Sequence, residues 1–264
     1  MNNAGPPRIL AVDAGNTRVK WGIHDGREWF MRASFATTAN EETAFSHLPH
    51  DPLIDRIIVS NVAGKSAGAR IKDALYRLGL PIEIVQSQPE QCGVTSRYDA
   101  PDALGTDRWA ALIGAFNSNA TATLPRRAPQ PLLVVMAGTA LTVDALTAEG
   151  VFLGGIIVPG LSLMRAALHH GTALLPATPG EYQTFPRNTL NAITAGTIDA
   201  CAGAVQRMFM HLSAESAAMP HCIGSGGAIH TISAHLPFPV AINDNLVLDG
   251  LIHIARDAQN ARIS

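Results

Sequence analysis

Cysteine and charge are both scarce in this chain. Its 264 residues include three cysteines, which are far apart and form no CxxC pair: Cys92, Cys201 and Cys222. Such spacing argues against a disulfide framework or a zinc site and favours a reducing compartment. A formal net charge of −2 provides no general attraction to nucleic acid or to an anionic membrane. We therefore expect small-molecule chemistry.

Long apolar runs are also missing. The polar stretch Met1–Pro7 lacks the apolar core of a signal peptide, and no run of about 18 apolar residues predicts a membrane span. We expect a cytoplasmic protein without a membrane or nucleic-acid partner. With 47% hydrophobic residues, a chain of this length can bury the core of one large domain or of two ordinary ones.

A strand-then-turn phrase, meaning an apolar strand followed by a tight turn, occurs twice in the sequence. Residues 10–17 and 133–139 each hold an apolar run that ends in Ala-Gly and continues into a small hydroxyl residue. Such a run predicts a buried strand and a tight turn whose glycine lets backbone N–H groups approach a ligand. Two facing copies could grip a polyphosphate from both sides. Met136 stands where the first copy has Asp13.

The order of predicted elements repeats as well. Each half follows three strands, a helix, a strand, a helix, a strand and a helix, and the Ala-, Thr- and Pro-rich stretch 118–131 separates the halves. We therefore predict domains at residues 1–118 and 119–264, with a ligand cleft between them. A helix is expected at 41–48, and the second half carries an insertion around 172–187.

Asp13 ends the first predicted strand, beside Gly15, Asn16 and Thr17. This pattern is typical of a phosphate cradle, in which N–H and hydroxyl groups face phosphate oxygens and Asp13 holds Mg²⁺ directly or through water. An Asx-type turn that merely starts a hairpin would look similar. The partial repeat at residues 137–139 favours the cradle.

A second candidate group follows Tyr98 and consists of consecutive residues at a predicted helix start. Gly105 permits close approach of a ligand, Asp107 could accept a substrate hydroxyl proton, and Arg108 could pair with a carboxylate. An adjacent acid and base at a helix start also occur as a solvated cap. Both interpretations stay open on the pattern alone.

Two further patterns are weaker. Residues 224–227, Gly-Ser-Gly-Gly, could cradle a phosphate or pack against a nucleobase, but they lack a complete GxGxxG. His169 and His170 are adjacent, so on a helix they would point about 100° apart. We therefore treat them as structural or surface residues and not as a metal pair.

In their order, these motifs resemble the type III pantothenate kinases, members of the acetate and sugar kinase, Hsp70 and actin superfamily. The resemblance spans nearly the whole chain. It rests on Asp13–Thr17, Tyr98–Arg108, Ala137–Asp144, Phe152–Gly160, Thr172–Pro176, Asn188–Thr189, Gly196 and Gly226–Gly227. A similar branch is called Bvg accessory factor, so a nucleotide-binding regulatory protein with little or no kinase turnover is the alternative.

The resemblance implies an α/β fold of two tandem ribonuclease H-like (actin-like ATPase) domains. Each would be a mixed five-stranded sheet with flanking helices, with ATP in the cleft and a homodimer that completes the pantothenate site. The implied reaction is ATP-dependent phosphorylation of pantothenate to 4′-phosphopantothenate, the first step of coenzyme A biosynthesis. A sugar kinase of the same superfamily fits less well, because Arg108 suits a carboxylate better than a neutral sugar.

The resemblance also implies roles for the candidate residues. Asp13 would organise Mg²⁺, and Asp107 would be the general base that takes the proton of pantothenate's primary hydroxyl. The other implied contacts are to phosphates by Gly15, Asn16, Thr17, Gly138 and Thr139, to adenosine by Gly226 and Gly227, and to pantothenate by Tyr98, Gly105, Thr106, Asp107, Arg108 and, from the neighbouring subunit, Thr189.

Met136 departs from the family pattern. The family usually has an aspartate there, in a phrase associated with an activating monovalent cation, K⁺ or NH₄⁺. A thioether is a poor ligand for K⁺, which prefers hard oxygens. Either the cation is absent or another group replaces the ligand, and Asp144 is one candidate. We predict weak or absent activation by K⁺.

Overall fold

The computed structural model describes residues 7–39, 45, 48, 54–121 and 129–263. Contacts between Cα atoms divide the chain into a first unit, residues 1–122 with 245–264, and a second unit, residues 123–244. The helix predicted at 41–48 lies outside the described residues apart from Phe45 and Leu48, as do residues 122–128 of the predicted boundary stretch 118–131.

The first unit is built on a mixed five-stranded sheet. Its strands are β1 (Ile9–Ala14), β2 (Arg18–His24), β3 (Trp29–Ala36), β4 (Arg56–Asn61) and β5 (Ile82–Ile84). They lie in the order β3-β2-β1-β4-β5, in which β1, β2 and β3 are antiparallel neighbours and β4 runs parallel to β1 and β5. The apolar run of β1 is buried from Ile9 to Val12, which is typical of a strand covered on both faces.

The rest of the first unit before residue 123 includes two helices, a 3₁₀ turn and a small hairpin. They are α1 (Gly64–Tyr76), the hairpin of β6 (Glu90–Gln91) and β7 (Val94–Ser96), a 3₁₀ turn (Pro101–Ala103) and α2 (Thr106–Thr121). Helix α1 buries Ala67, Ile71 and Leu75, whose four-residue spacing forms one apolar face. Trp109 of α2 is fully buried, and its Nε1 donates to Gln91 Oε1 at 2.9 Å, which ties α2 to the hairpin.

The second unit repeats this topology. Its elements are β8 (Leu132–Ala137), β9 (Ala140–Leu146), β10 (Val151–Pro159), α3 (Leu161–Gly171), α4 (Thr189–Ser216), β11 (His221–Ser225), α5 (Ile229–Ser233) and β12 (Val240–Ile242). Its five strands lie in the order β10-β9-β8-β11-β12, with β8, β9 and β10 antiparallel and β11 parallel to β8 and β12. Each unit therefore has the strand order of a ribonuclease H-like sheet.

The last helix, α6 (Leu246–Ile263), groups with the first unit, whereas the sequence pattern places it in the domain 119–264. Two glycines explain the close packing of α6 on α2. A Cβ atom at Gly250 would lie 1.8 Å from the carbonyl oxygen of Ala110, and one at Gly114 would lie 2.3 Å from that of Leu246. Because neither helix carries a side chain there, their backbones meet directly.

None of the described helices is both long enough and apolar enough to cross a bilayer.

Candidate active site

The turn between β1 and β2 is held by two hydrogen bonds and carries two exposed side chains. The amide of Gly15 donates to the carbonyl of Arg18 at 3.0 Å, and Thr37 Oγ1 donates to the carbonyl of Gly15 at 2.7 Å. A Cβ atom at Gly15 would lie 2.9 Å from that Arg18 oxygen, so the tight turn favours glycine. Asn16 and Thr17 are exposed at its tip, where the predicted phosphate contacts require them.

Asp13 lies at the carboxyl end of β1, in register with Lys20 on β2 and Ser60 on β4. Its Oδ1 is enclosed and has no hydrogen-bond partner in the described part of the chain. Burial and, to a smaller extent, the nearby Asp107 charge raise the pKa of Asp13 from 3.8 to about 7, while Lys20 opposes the rise. A buried carboxyl oxygen without a donor is costly unless a cation approaches it, so this position fits a hard divalent cation such as Mg²⁺.

Asp107 stands in the first turn of α2 and is held at a defined position. Its Oδ1 accepts a hydrogen bond of 2.8 Å from the backbone amide of Arg108. A Cβ atom at Gly105 would lie 2.7 Å from the same oxygen, so the glycine makes room for the carboxylate. Burial raises the pKa of Asp107, while the hydrogen bond and charge of Arg108 lower it. The raised pKa makes Asp107 a better proton acceptor than an ordinary surface carboxylate.

Ser60 connects these two aspartates and was not picked out from the sequence. It is fully buried at the end of β4, next to Asp13 in the sheet register, and its Oγ lies 2.9 Å from Thr106 Oγ1 at the start of α2. The hydroxyl pair thus fixes the start of the helix that carries Asp107 beside the strand end that carries Asp13. A polar residue closing the apolar run Ile57–Ser60 is the signal that could have revealed it.

Arg108 is buried and lies beside the ring of Tyr98, with 6.0 Å between its guanidinium carbon and the ring centroid. The amide of Tyr98 donates to Ser96 Oγ at 3.2 Å, which fixes the chain leaving β7. The structure therefore brings Arg108 and Tyr98 together, and Asp107 adjoins them along the chain. A planar guanidinium beside an aromatic ring is well suited to a carboxylate-bearing ligand.

In the second unit, the turn after β8 meets the glycine pair after β11. A Cβ atom at Gly226, whose φ is 103°, would lie 2.5 Å from the carbonyl oxygen of Ala137. The amide of Ala228 donates to that same oxygen at 3.1 Å. Gly138 and Thr139 are exposed on the adjoining turn, and Gly227 is exposed beside open space. The four predicted nucleotide contacts of this unit therefore gather at one edge of its sheet.

Met136 is the second-to-last residue of β8. It lies in register with Thr142 on β9 and with Ser225 on β11, and Thr142 Oγ1 is buried without a partner in the described residues. Asp144 is buried two residues further along β9, and its Oδ1 would be 2.0 Å from a Cβ atom at Gly155 on β10. Within the described ranges, no cluster of three or more His, Cys, Asp or Glu residues could hold a metal ion.

Thr189 is the first residue of α4. Asn188 caps the helix by accepting from the amide of Asn191 at 2.9 Å. The exposed Thr189 lines a groove of about 650 Å³ together with Met164, Leu168, Leu175 and Ile193. The groove is apolar, and no other predicted site residue lines it.

A family model described as type III pantothenate kinase matches residues 9–211. The chain belongs to the type III pantothenate kinase family. A type III pantothenate kinase from Dechloromonas aromatica is 44% identical over 94% of this chain and 98% of its own length. Another from Nitrosospira multiformis is 42% identical over 95% of this chain and 92% of its own length. The predicted family is thereby confirmed.

Solved structures also share the fold of this pantothenate kinase family member. A protein assigned to the Baf family of transcriptional activators, from Campylobacter jejuni, gives a TM-score of 0.58 at 19% identity and covers 95% of this chain and 99% of its own. The ethanolamine utilization protein EutJ from Carboxydothermus hydrogenoformans gives 0.54 at 13% identity and covers 97% and 92%. At these identities the likeness concerns the fold alone.

Proposed function

We propose that this chain transfers the γ-phosphoryl group of ATP to the primary hydroxyl of pantothenate, producing 4′-phosphopantothenate at the first step of coenzyme A biosynthesis. Membership of the family supports this reaction. The observation that carries it is the placement of two buried carboxyls, Asp13 and Asp107, around the Ser60–Thr106 hydroxyl pair. The two relatives of 42–44% identity are both type III pantothenate kinases, whereas the likeness to the Baf family protein, at 19% identity, concerns the fold alone, so the comparisons do not favour the regulatory alternative.

Asp107 acts as the general base in this proposal. It accepts the hydroxyl proton while the substrate oxygen forms its bond to the γ-phosphorus and the bond to the ADP oxygen breaks. The hydrogen bond from the Arg108 amide fixes Oδ1, and burial keeps the carboxyl ready to take a proton. Phosphoryl transfer depends mainly on positioning and charge neutralisation, so such a base contributes about 10²–10⁴-fold.

Asp13 would hold Mg²⁺, directly or through water, and the bound ion would neutralise charge on the phosphate oxygens. The amides and side chains of Gly15, Asn16 and Thr17 would contact phosphate. In the second unit we assign phosphate contacts to Gly138 and Thr139 and adenosine contacts to Gly226 and Gly227. The exposed, closely packed turns that carry these residues support the assignment.

Pantothenate would be held by Tyr98, Gly105, Thr106 and Arg108, with the guanidinium of Arg108 on its carboxylate. We further propose a homodimer in which Thr189 of the neighbouring subunit contacts the substrate. The apolar groove beside α4 supports an interface there, and Leu174, in the segment before α4, is a second exposed apolar side chain, with 93% of its surface accessible. We retain a cytoplasmic location and the absence of nucleic-acid partners as proposals.

Activation by a monovalent cation is expected to be weak or absent. The thioether of Met136 supplies no hard oxygen. Asp144, the candidate substitute, has its Oδ1 against Gly155 of β10, whereas Met136 belongs to β8 on the other side of β9. The position of Asp144 therefore argues against its replacing the missing ligand.

Product formation tests the proposed reaction. The protein is incubated with ATP, Mg²⁺ and pantothenate, and 4′-phosphopantothenate is measured by mass spectrometry. We expect product from the parent and a loss of about 10²-fold or more in kcat for Asp107→Asn. Asp102→Asn, an exposed carboxylate near the start of α2, is the matched control and should retain activity. Absence of product from the parent, or an Asp107→Asn variant as active as the parent, refutes the mechanism.

A further inference from the structure

The segment that connects α3 to α4, residues 172–188, forms no helix or strand, yet its middle is attached to α4 at defined atoms. The amide of Gly180 donates to Thr194 Oγ1 at 2.8 Å, and the amide of Glu181 donates to Asn191 Oδ1 at 2.9 Å. Both acceptor residues are buried, with 8% of Asn191 and 7% of Thr194 exposed. Two buried side chains therefore bind two consecutive backbone amides.

Close packing accompanies these hydrogen bonds. A Cβ atom at Gly180 would lie 2.5 Å from Asn191 Oδ1 and 2.7 Å from the backbone nitrogen of Asn191, so a larger residue would push the segment away. Further along, Tyr182 Oη donates to Asp199 Oδ1 at 3.1 Å. The acceptors recur at positions 191, 194 and 199, which places them along one side of the helix.

Thr189 directly follows Asn188, the residue that caps α4 by accepting a hydrogen bond from Asn191. The backbone amide of Asn191 donates to Asn188 Oδ1, while its side-chain oxygen binds Glu181. Asn191 thus joins the helix start to the connecting segment on one side. On another side of the same helix, Thr189 and Ile193 line the apolar groove. Thr189 therefore lies between Asn188, which caps the helix, and Asn191, which binds the segment.

We propose that Asn191 and Thr194 are positioning residues for pantothenate, because they fasten the segment at Gly180–Glu181 and thereby fix Thr189. The inference rests on the proposed function, in which Thr189 contacts the substrate. Neither side chain touches the substrate itself. Loosening the segment therefore weakens the binding of pantothenate and leaves the binding of ATP unchanged.

Steady-state kinetics of the full-length chain provide the test. Asn191→Ala and Thr194→Val each remove one acceptor and should raise KM for pantothenate about ten-fold, with KM for ATP within two-fold of the parent. Thr194→Ser keeps an acceptor oxygen and should restore the parental KM. Ser216→Ala removes a side-chain hydrogen bond at the far end of the same helix and serves as the matched control. Equal changes in both KM values would overturn the proposal.

A double variant tests whether Asn191 acts through Thr189. If it does, Thr189→Ala combined with Asn191→Ala should have the same KM for pantothenate as Thr189→Ala alone. Multiplied effects would overturn the proposal and leave the proposed function intact. A Thr189→Ala variant with the parental KM would instead refute the contact assigned to Thr189, and a parent without product would refute the reaction.

Amide hydrogen exchange gives a readout that does not need turnover. Exchange at Gly180 and Glu181 should accelerate at least ten-fold in Thr194→Val and Asn191→Ala, and should be unchanged in Ser216→Ala. Should either variant fail to fold, Gly180→Ala displaces the segment while both acceptors remain, and it should raise the same KM. Unchanged exchange, or a parental KM in Gly180→Ala, would contradict the inference.

Discussion

Replacing Asp13 with asparagine should stabilise the first unit in the absence of Mg²⁺. The carboxyl has a pKa of about 7 in the folded chain and 3.8 when unfolded. Between these values the folded state binds more protons than the unfolded state, so stability is fully present below pH 3.8 and is lost as the pH rises toward 7. A pKa difference of about 3, at 1.36 kcal/mol per unit, corresponds to about 4 kcal/mol. Asparagine cannot ionise and escapes this loss.

Denaturation by urea at pH 5.0–8.5 measures the effect. All three tryptophans, Trp21, Trp29 and Trp109, belong to the first unit, so their fluorescence reports its unfolding. At pH 8, Asp13→Asn should be more stable than the parent by about 4 kcal/mol, and the gap should shrink toward pH 5. Asp102→Asn is the exposed control and should follow the parent.

Two further measurements test the cause of this pH dependence. Because the Asp107 charge is the second cause of the raised pKa, Asp107→Asn should also reduce the pH dependence of the parent. Mg²⁺ with ATP should stabilise the parent and not Asp13→Asn, since the ion would offset the buried charge. An Asp13→Asn variant that is no more stable than the parent at pH 8 would refute the reasoning, as would a difference between the two that does not narrow toward pH 5.

Three other predictions follow from the site and its surroundings. Gly105→Ala should lower kcat about 10²-fold with little change in KM for ATP, because the new Cβ displaces the Asp107 carboxylate; parental kcat would contradict this role. Replacing K⁺ with a large organic cation should change the rate less than two-fold, given the thioether of Met136, and a large loss of rate would show a cation site. Burial lowers the pKa of His24 and His253, so folding stability should fall as the pH drops below 6.5, and His253→Gln should lessen that fall in urea titrations; an unaltered acid limb would refute it.

The two strand-then-turn phrases could be predicted from sequence because their signals are local. An apolar run that ends in Ala-Gly specifies a buried strand and a tight turn over about eight residues, and β1 and β8 both obey it. The placement of α6 could not be predicted in this way. It depends on contact between Gly114 and Gly250, which only the folded backbone brings together.

The site shows the same distinction. Asp13 and Asp107 are acidic residues close to glycines in the sequence, so a local sequence pattern identifies them. Ser60 and Asn191 act through partners that are 46 and 10 residues away, so a local pattern, even a polar residue that closes an apolar run, does not show what they bind. Such residues become recognisable only when hydrogen-bond partners and burial are known.

The return of α6 to the first unit has a consequence for biosynthesis. The ribosome makes residues 123–244 between the two parts of the first unit, so the second unit is complete before the first unit receives its last helix. Helix α2, which carries Asp107, packs directly on α6 through Gly250. Until translation is nearly finished, the nascent chain therefore lacks the helix that supports Asp107, its proton acceptor. The active site of the enzyme is consequently completed only at the end of synthesis.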